Sequence, residues 1–332
     1  MRIAAFVAVL LAVAAIRTTP GAPSRAEPVT FRNGDVTLAG TLYLPARAGR
    51  YPAVVVLHAA NGGTRDYHAY QHLATALPPE GFAVLLFDRR GEGASTGDGR
   101  TATFTDLASD AIAGVSYLAS RADIDRSRIG VWGMSQGGWL APLAATMSRD
   151  IAFVVAVSAA AVGPAGQMDY TARHALEAAA QPSTVVEHAL HVRAMLNDYY
   201  RGRVARRDAE VAIDSIRAEP WFGQVFLPNG GRLPDDPTKT KWYATLDYDP
   251  LIAVSKVTVP MAFFFAESDA YVPVEESMAR TRGAARVSDL LIRRITGTDH
   301  YMETGTPESG GATSAQYVQQ LLDWLRLRNE PR

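Results

Sequence analysis

The sequence predicts an α/β protein, with a mainly parallel sheet flanked by helices and a helical cap inserted between two of the strands. Three observations support that reading. Short apolar runs alternate with segments of helical periodicity, the cadence of strands joined by crossover helices. One run ends in a Gly-x-Ser-x-Gly turn, Gly133-Met134-Ser135-Gln136-Gly137, where a strand passes straight into a helix. The alternation then lapses for about a hundred residues between Ser158 and Pro260, too many for a structureless loop inside a compact domain.

Residues 3–16 form an unbroken apolar stretch after Arg2, short for crossing a bilayer. Ser24-Arg25-Ala26 then offers small residues at the −3 and −1 positions of a signal-peptidase site. The expectation is a signal peptide over residues 1–26, cleaved after Ala26, giving a secreted or periplasmic protein with no stable membrane insertion afterwards. Residues 29–32 and 35–44 alternate in polarity about Asn33-Gly34, a dipeptide suited to a tight hairpin. Residues 53–58 are solidly apolar up to His58, as in a strand buried on both faces. Helical periodicity follows over 67–77, a buried strand over 82–88 and a long helix over 103–120. Residues 128–132 form the strand before Ser135, 136–147 the helix after it, and 151–158 the next strand.

In the strandless stretch, residues 175–180, 185–200 and 205–218 are the best helix candidates, with Trp221, Phe222, Phe226, Trp242 and Tyr243 set among prolines. The alternation resumes with a strand over 261–266, a helix near 275–282, a strand over 289–295 and a closing helix over 315–328. The expected organisation is a core of residues 27–160 and 246–332, interrupted by a cap of residues 161–245.

Composition narrows the function. The chain has 332 residues, 48% of them hydrophobic, enough for a substantial core. Its net charge is −1; residues 1–26 carry Arg2, Arg17, Arg25 and no acid, so the chain without them carries −4. With no basic run, nucleic acid and anionic membranes are poor partners. There is no cysteine, hence no disulfide, thiol chemistry or cysteine-ligated metal. No metal or cofactor is implied.

A strand-to-helix turn puts its central residue in a strained conformation that exposes the side chain, and the flanking glycines remove atoms that would collide. Ser135 is therefore the candidate nucleophile. A serine needs a base within reach, and that base needs an acid to orient it. Of seven histidines, His300 follows the last strand, on the carboxyl edge of the sheet that also bears Ser135. His58 reads as a structural hydrogen-bonder. The acid should follow a strand at the same edge, where Glu267 and Asp269 compete. Asp269, deeper in its loop, is better placed to reach His300, whereas Asp299 is constrained by adjacency.

In the order Ser135, Asp269, His300, the chain resembles the α/β-hydrolase fold over nearly all of its length beyond residue 26. It is most similar to exported bacterial serine hydrolases related to dienelactone hydrolases and to the catalytic domain of prolyl-oligopeptidase-type enzymes. Leu57-His58-Ala59-Ala60-Asn61-Gly62-Gly63 resembles the His-Gly loop after the third strand, with Ala59 where the family commonly has Gly. Asp88-Arg89-Arg90-Gly91-Glu92-Gly93-Ala94-Ser95 matches the Asp-x-Arg-Gly-x-Gly-x-Ser turn, in which Arg89 and Arg90 read as pins of the turn. Asp269-Ala270-Tyr271-Val272-Pro273 matches the acid loop, with Ala266 in place of its glycine. The resemblance implies an oxyanion hole made by the backbone N–H groups of Gln136 and Ala60. It implies a serine hydrolase that cleaves a carboxylic ester, a small-molecule ester or acyl substrate, through an acyl-enzyme. A peptidase or aminopeptidase-like activity, an acyl-thioester hydrolase and, further off, a non-catalytic binding module are the alternatives. The cap aromatics with Met168 or Met195 suggest an apolar pocket. Oligomeric state is not legible in the sequence.

Overall fold

A computed structural model describes residues 25–305 and 311–328. Most of the expected signal peptide, residues 1–24, lies outside the described residues. Arg25 and Ala26 open the first strand, β1 (Arg25–Asn33), pairing with Leu44 and Tyr43 of β2 (Val36–Leu44). Cleavage after Ala26 would trim two residues from that strand and leave the rest of the hairpin. Gly34 closes the hairpin with φ +57°, a left-handed turn position that glycine occupies without strain.

The remaining strands are β3 (Tyr51–Leu57), β4 (Ala83–Phe87), β5 (Ile124–Met134), β6 (Val154–Val157), β7 (Met261–Ala266) and β8 (Leu290–Ile295). With the hairpin they form one eight-stranded sheet in the order β1-β2-β4-β3-β5-β6-β7-β8. The β1–β2 and β2–β4 pairings are antiparallel and all others parallel. Successive residues of β3 show why the central runs are apolar throughout. Val55 and Leu57 enter one core, Val54 and Val56 the other, and all are buried.

The first core holds α2 (Phe104–Ala119) and α3 (Gln136–Met147) against the sheet; the second holds α1 (His68–Ala76) and α10 (Ala315–Arg326). Thr103 caps α2 through a reciprocal exchange with Asp106, a capping box. Trp132 of β5 donates its indole N–H to the Tyr317 hydroxyl (2.9 Å), tying the central strand to the last helix. A short ribbon, β9 (Glu303–Thr304) with β10 (Ala312–Thr313), was not anticipated.

Between β6 and β7 the described elements are helices: α4 (Pro164–Ala178), α5 (Ser183–Tyr200), α6 (Arg206–Asp214), α7 (Lys241–Thr245) and α8 (Pro250–Val254), with single-turn helices among them. This segment has its own apolar cluster, which includes Leu176, Val192, Leu196, Ile213 and Trp221. The buried Arg193 fixes it from within, pairing with Asp169 (2.7 Å) and donating to the carbonyls of Val225 (2.7 Å) and Phe226 (2.9 Å). The helix expected over 175–180 in fact begins at Pro164. α9 (Val274–Ala284) completes the layer beside β7 and β8.

Candidate active site

Ser135 stands between β5 and α3 with φ +55° and ψ −116°, a backbone state that costs a non-glycine residue about 1–3 kcal/mol. Surrounding bonds hold it there. Its N–H donates to the carbonyl of Val157 (2.8 Å), and Gly138 N–H donates to the carbonyl of Ser135 (2.9 Å). The glycines are required by close approach. A Cβ at Gly133 would lie 2.0 Å from the Gly137 carbonyl oxygen, and one at Gly137 would lie 2.3 Å from that of Leu57.

His300 and Asp269 come from loops after β8 and β7 and meet at the same edge. His300 Nδ1 lies 2.9 and 2.8 Å from the two carboxylate oxygens of Asp269, and both residues are buried. Because the carboxylate only accepts, Nδ1 is the donor, and in the neutral imidazole this tautomer leaves the lone pair on Nε2. Asp269 is itself fixed, since its Oδ1 accepts from the N–H groups of Tyr271 (2.9 Å) and Val272 (3.1 Å). Ser158 Oγ donates to the His300 carbonyl (2.8 Å), so β6 sets the histidine's position along the edge. The rings of Tyr271 and Tyr301 pack edge-on against the imidazole, at 4.9 and 5.4 Å between centroids. Neither competing acid is placed on His300. Glu267 accepts from Gly297 N–H (2.9 Å), and Asp299 accepts from Tyr301 and Glu303 N–H (3.0 Å each).

The loop after β3 is fixed from two sides. Ala59 N–H donates to the Tyr70 hydroxyl (2.8 Å), which donates on to the Gly62 carbonyl (3.0 Å). The Ala59 N–H is thereby occupied. Arg89 donates to the carbonyls of Ala59 and Ala60 (3.1 Å each), and its Nε also donates to Glu92 (2.9 Å). In a trans peptide the N–H points opposite to the preceding C=O. With the Ala59 carbonyl on Arg89, the Ala60 N–H faces away from the guanidinium. Gln136 is the first residue of α3, so its N–H has no acceptor within the helix. Ala60 and Gln136 both line the cavity that Ser135 and His300 enter.

The rest of the motif is scaffolding. His58 Nε2 lies 2.5 Å from the Phe87 carbonyl, and burial lowers the imidazole pKa to about 4, keeping it neutral. Arg90 grips Asp110 of α2 through two bonds (2.7 and 2.6 Å). Asp88 accepts from the N–H groups of Arg65 (2.9 Å) and Ala94 (2.8 Å).

The cavity measures about 500 Å³ and lies between the sheet edge and the helices inserted after β6. Trp139, Met168, Phe226 and Trp242 give it apolar walls, whereas Met195 does not line it and Trp221 belongs to the core of the inserted helices. Phe226 is itself left-handed (φ +49°), an unusual state for a bulky residue, maintained by the Arg193 bond to its carbonyl. Several lining residues had no sequence argument, among them Tyr301, Lys241 and Gln167. Among the described residues no group of three or more His, Asp or Glu is placed to hold a metal ion.

An eight-stranded, mostly parallel sheet with a serine elbow beyond its fifth strand defines the α/β-hydrolase class. The family model described as "Hydrolase_4: Serine aminopeptidase, S33" matches residues 51–226, more than half of the chain, and the chain belongs to that family. An uncharacterized protein of Mycobacterium tuberculosis, Rv2307c, is 30% identical over 148 residues, 45% of this chain and 50% of that protein. The chain thus spans about half the length of the first curated relatives it matches. The quorum-quenching protein AidA of Acinetobacter baumannii is 24% identical over 266 residues, 77% of this chain and 83% of that protein. Among solved structures, the Pyrococcus furiosus esterase Pf2001 aligns with a TM-score of 0.59 at 18% identity, covering 92% of each chain. Est1E from Butyrivibrio proteoclasticus, bound to ferulic acid, aligns with a TM-score of 0.58 at 17% identity, covering 91% of this chain and 99% of that one. At such identities the likeness speaks to the fold alone.

Proposed function

We propose that this hydrolase is a serine carboxylesterase with the triad Ser135, His300 and Asp269. The carrying observation is that a strained serine at a strand–helix elbow shares one cavity with a histidine already oriented by a buried carboxylate. Ser135 Oγ attacks the ester carbonyl while His300 Nε2 takes its proton, and Asp269 balances the imidazolium that forms. The N–H groups of Ala60 and Gln136 hold the developing oxyanion, an arrangement in which a single donor is worth about 2.7–4 kcal/mol. His300 returns the proton to the leaving alcohol, and water activated by the same imidazole releases the acid from the acyl-enzyme. That Pf2001 is an esterase and that Est1E binds ferulic acid support an ester substrate by analogy.

An aminopeptidase reading is favoured by the family's description. Recognition of a free α-ammonium group calls for a carboxylate at the site, and none of the described residues lining this cavity supplies one, so the ester reading stands first. Export is part of the proposal, with the mature chain beginning at Glu27; N-terminal sequencing of the exported protein tests it. The activity test is hydrolysis of p-nitrophenyl acetate, butyrate and octanoate by residues 27–332 beside Ser135→Ala. Turnover that collapses by about 10⁴-fold or more in the variant is expected. Aminoacyl anilides cleaved in preference to the esters would overturn the ester reading.

A further inference from the structure

We propose that Lys241 is the counter-ion for a carboxylate on the substrate, so that the enzyme acts on apolar esters bearing one free acid group. The inference rests on the hydrolase reading above and names its substrate class. Lys241 opens α7 in the inserted segment and lines the cavity. Apart from the imidazole of His300, already committed to Asp269, it is the side chain among the described lining residues that carries charge; no Asp or Glu is among those described. Two residues earlier, Lys239 pairs with Asp236 (3.2 Å), whereas among the described residues Lys241 has no carboxylate within ion-pair distance.

The backbone that carries Lys241 is held in place by its surroundings. The Thr240 hydroxyl caps α7 (3.2 Å from Tyr243 N), Trp242 donates its indole N–H to Asn197 (3.1 Å), and Thr245 Oγ1 donates to the Lys241 carbonyl (2.8 Å). The nearby charges are Arg89 and Glu92, and Glu92 is already bonded to Arg89. The charges around Lys241 therefore sum to a net positive one. Partial burial, first, and Arg89, second, pull the Lys241 ammonium pKa below the ordinary lysine value. A cation taken partly out of water without a partner is unfavourable, and an incoming anion relieves that penalty. Apolar walls with one lining cation match a substrate with an apolar body and an acidic end.

The test compares esters matched in length and differing in charge. On the acyl side, mono-p-nitrophenyl adipate is set against p-nitrophenyl hexanoate; on the alcohol side, 4-carboxyphenyl butyrate against 4-carbamoylphenyl butyrate. In the wild type at least one charged ester should exceed its neutral partner in kcat/KM by about tenfold, the range of a hydrogen bond to a charged group. High salt should erode that ratio. Lys241→Gln should abolish it, Lys241→Glu invert it and Lys241→Arg preserve it. The ratio is the readout, so a general loss of activity in a variant does not imitate the result, and the wild-type ratio with its salt dependence needs no variant. Binding to Ser135→Ala by calorimetry separates the two readings. Monomethyl adipate bound in preference to dimethyl adipate, with no ester turned over by the wild type, would keep the anion site and sink the esterase. Ester turnover indifferent to charge in both arms, or a preference that survives Lys241→Gln, would overturn the role of Lys241 and leave the esterase standing.

Discussion

Replacing Arg89 with methionine should damage catalysis from beneath the active site. The guanidinium touches none of the proposed triad, yet it holds the carbonyls of Ala59 and Ala60 at 3.1 Å each and so sets the peptide whose N–H we propose for the oxyanion. Each charge-assisted bond of this kind is worth about 1.5–3 kcal/mol, so losing both frees the loop to rotate. A misdirected oxyanion donor costs about 2.7–4 kcal/mol of barrier, roughly 10²–10³ in kcat. The walls formed by Trp139, Met168 and Trp242 do not involve Arg89, so KM should stay within about threefold, the signature of a transition-state interaction. Glu92 would be left without its partner, so the informative protein is Arg89→Met/Glu92→Gln. The assay is steady-state hydrolysis of p-nitrophenyl butyrate, with circular dichroism to establish folding. A folded double variant with kcat within about threefold of wild type would refute the reasoning.

Three further outcomes follow from the same geometry. Asp269→Asn should lower kcat by about 10⁴-fold by favouring the wrong imidazole tautomer, whereas Glu267→Gln should stay within about threefold; steady-state kinetics of the pair checks the choice of acid. Gly137→Ala puts a Cβ 2.3 Å from the Leu57 carbonyl oxygen, and denaturant melts should show about 3 kcal/mol or more of destabilisation. Burial lowers His58 and His72 from 6.5 to about 4 in the folded protein. The unfolded chain binds their protons first, so their neutral burial contributes fully above about pH 6.5 and is lost as pH falls toward 4, on the order of 3 kcal/mol each. Urea melts at pH 7 and pH 4.5 should show a smaller acid-induced loss for His72→Phe than for wild type; an identical loss would count against this.

The central strands were legible because burial on both faces leaves no polar position to interrupt β3, β4, β6 and β7. The placement of Ser135, Asp269 and His300 at one edge was legible because strand ends there are short in sequence and marked by loop residues. β5 is longer than expected because its first half, with Asp125, Arg126, Ser127 and Arg128, is a polar and partly exposed extension. The early turns of α4 were hidden for a different reason. Its inward face carries Gln167 and Thr171, both buried against the cavity, where a helix packed on a core would carry aliphatic residues. The role of Arg89 was half visible. Its motif marks a pinned turn, but the carbonyls it grips belong to a loop about thirty residues earlier, which no local pattern reveals. Lys241 left no trace at all, since nothing in Thr240-Lys241-Trp242 distinguishes a cavity cation from a solvated one.

The most direct test of the central claim is reaction of the protein with a fluorophosphonate probe, followed by peptide mapping. The account predicts one label per chain, on Ser135, absent in Ser135→Ala and strongly slowed in His300→Ala. A folded protein that stays unlabelled, or that carries the label on another residue, would contradict it.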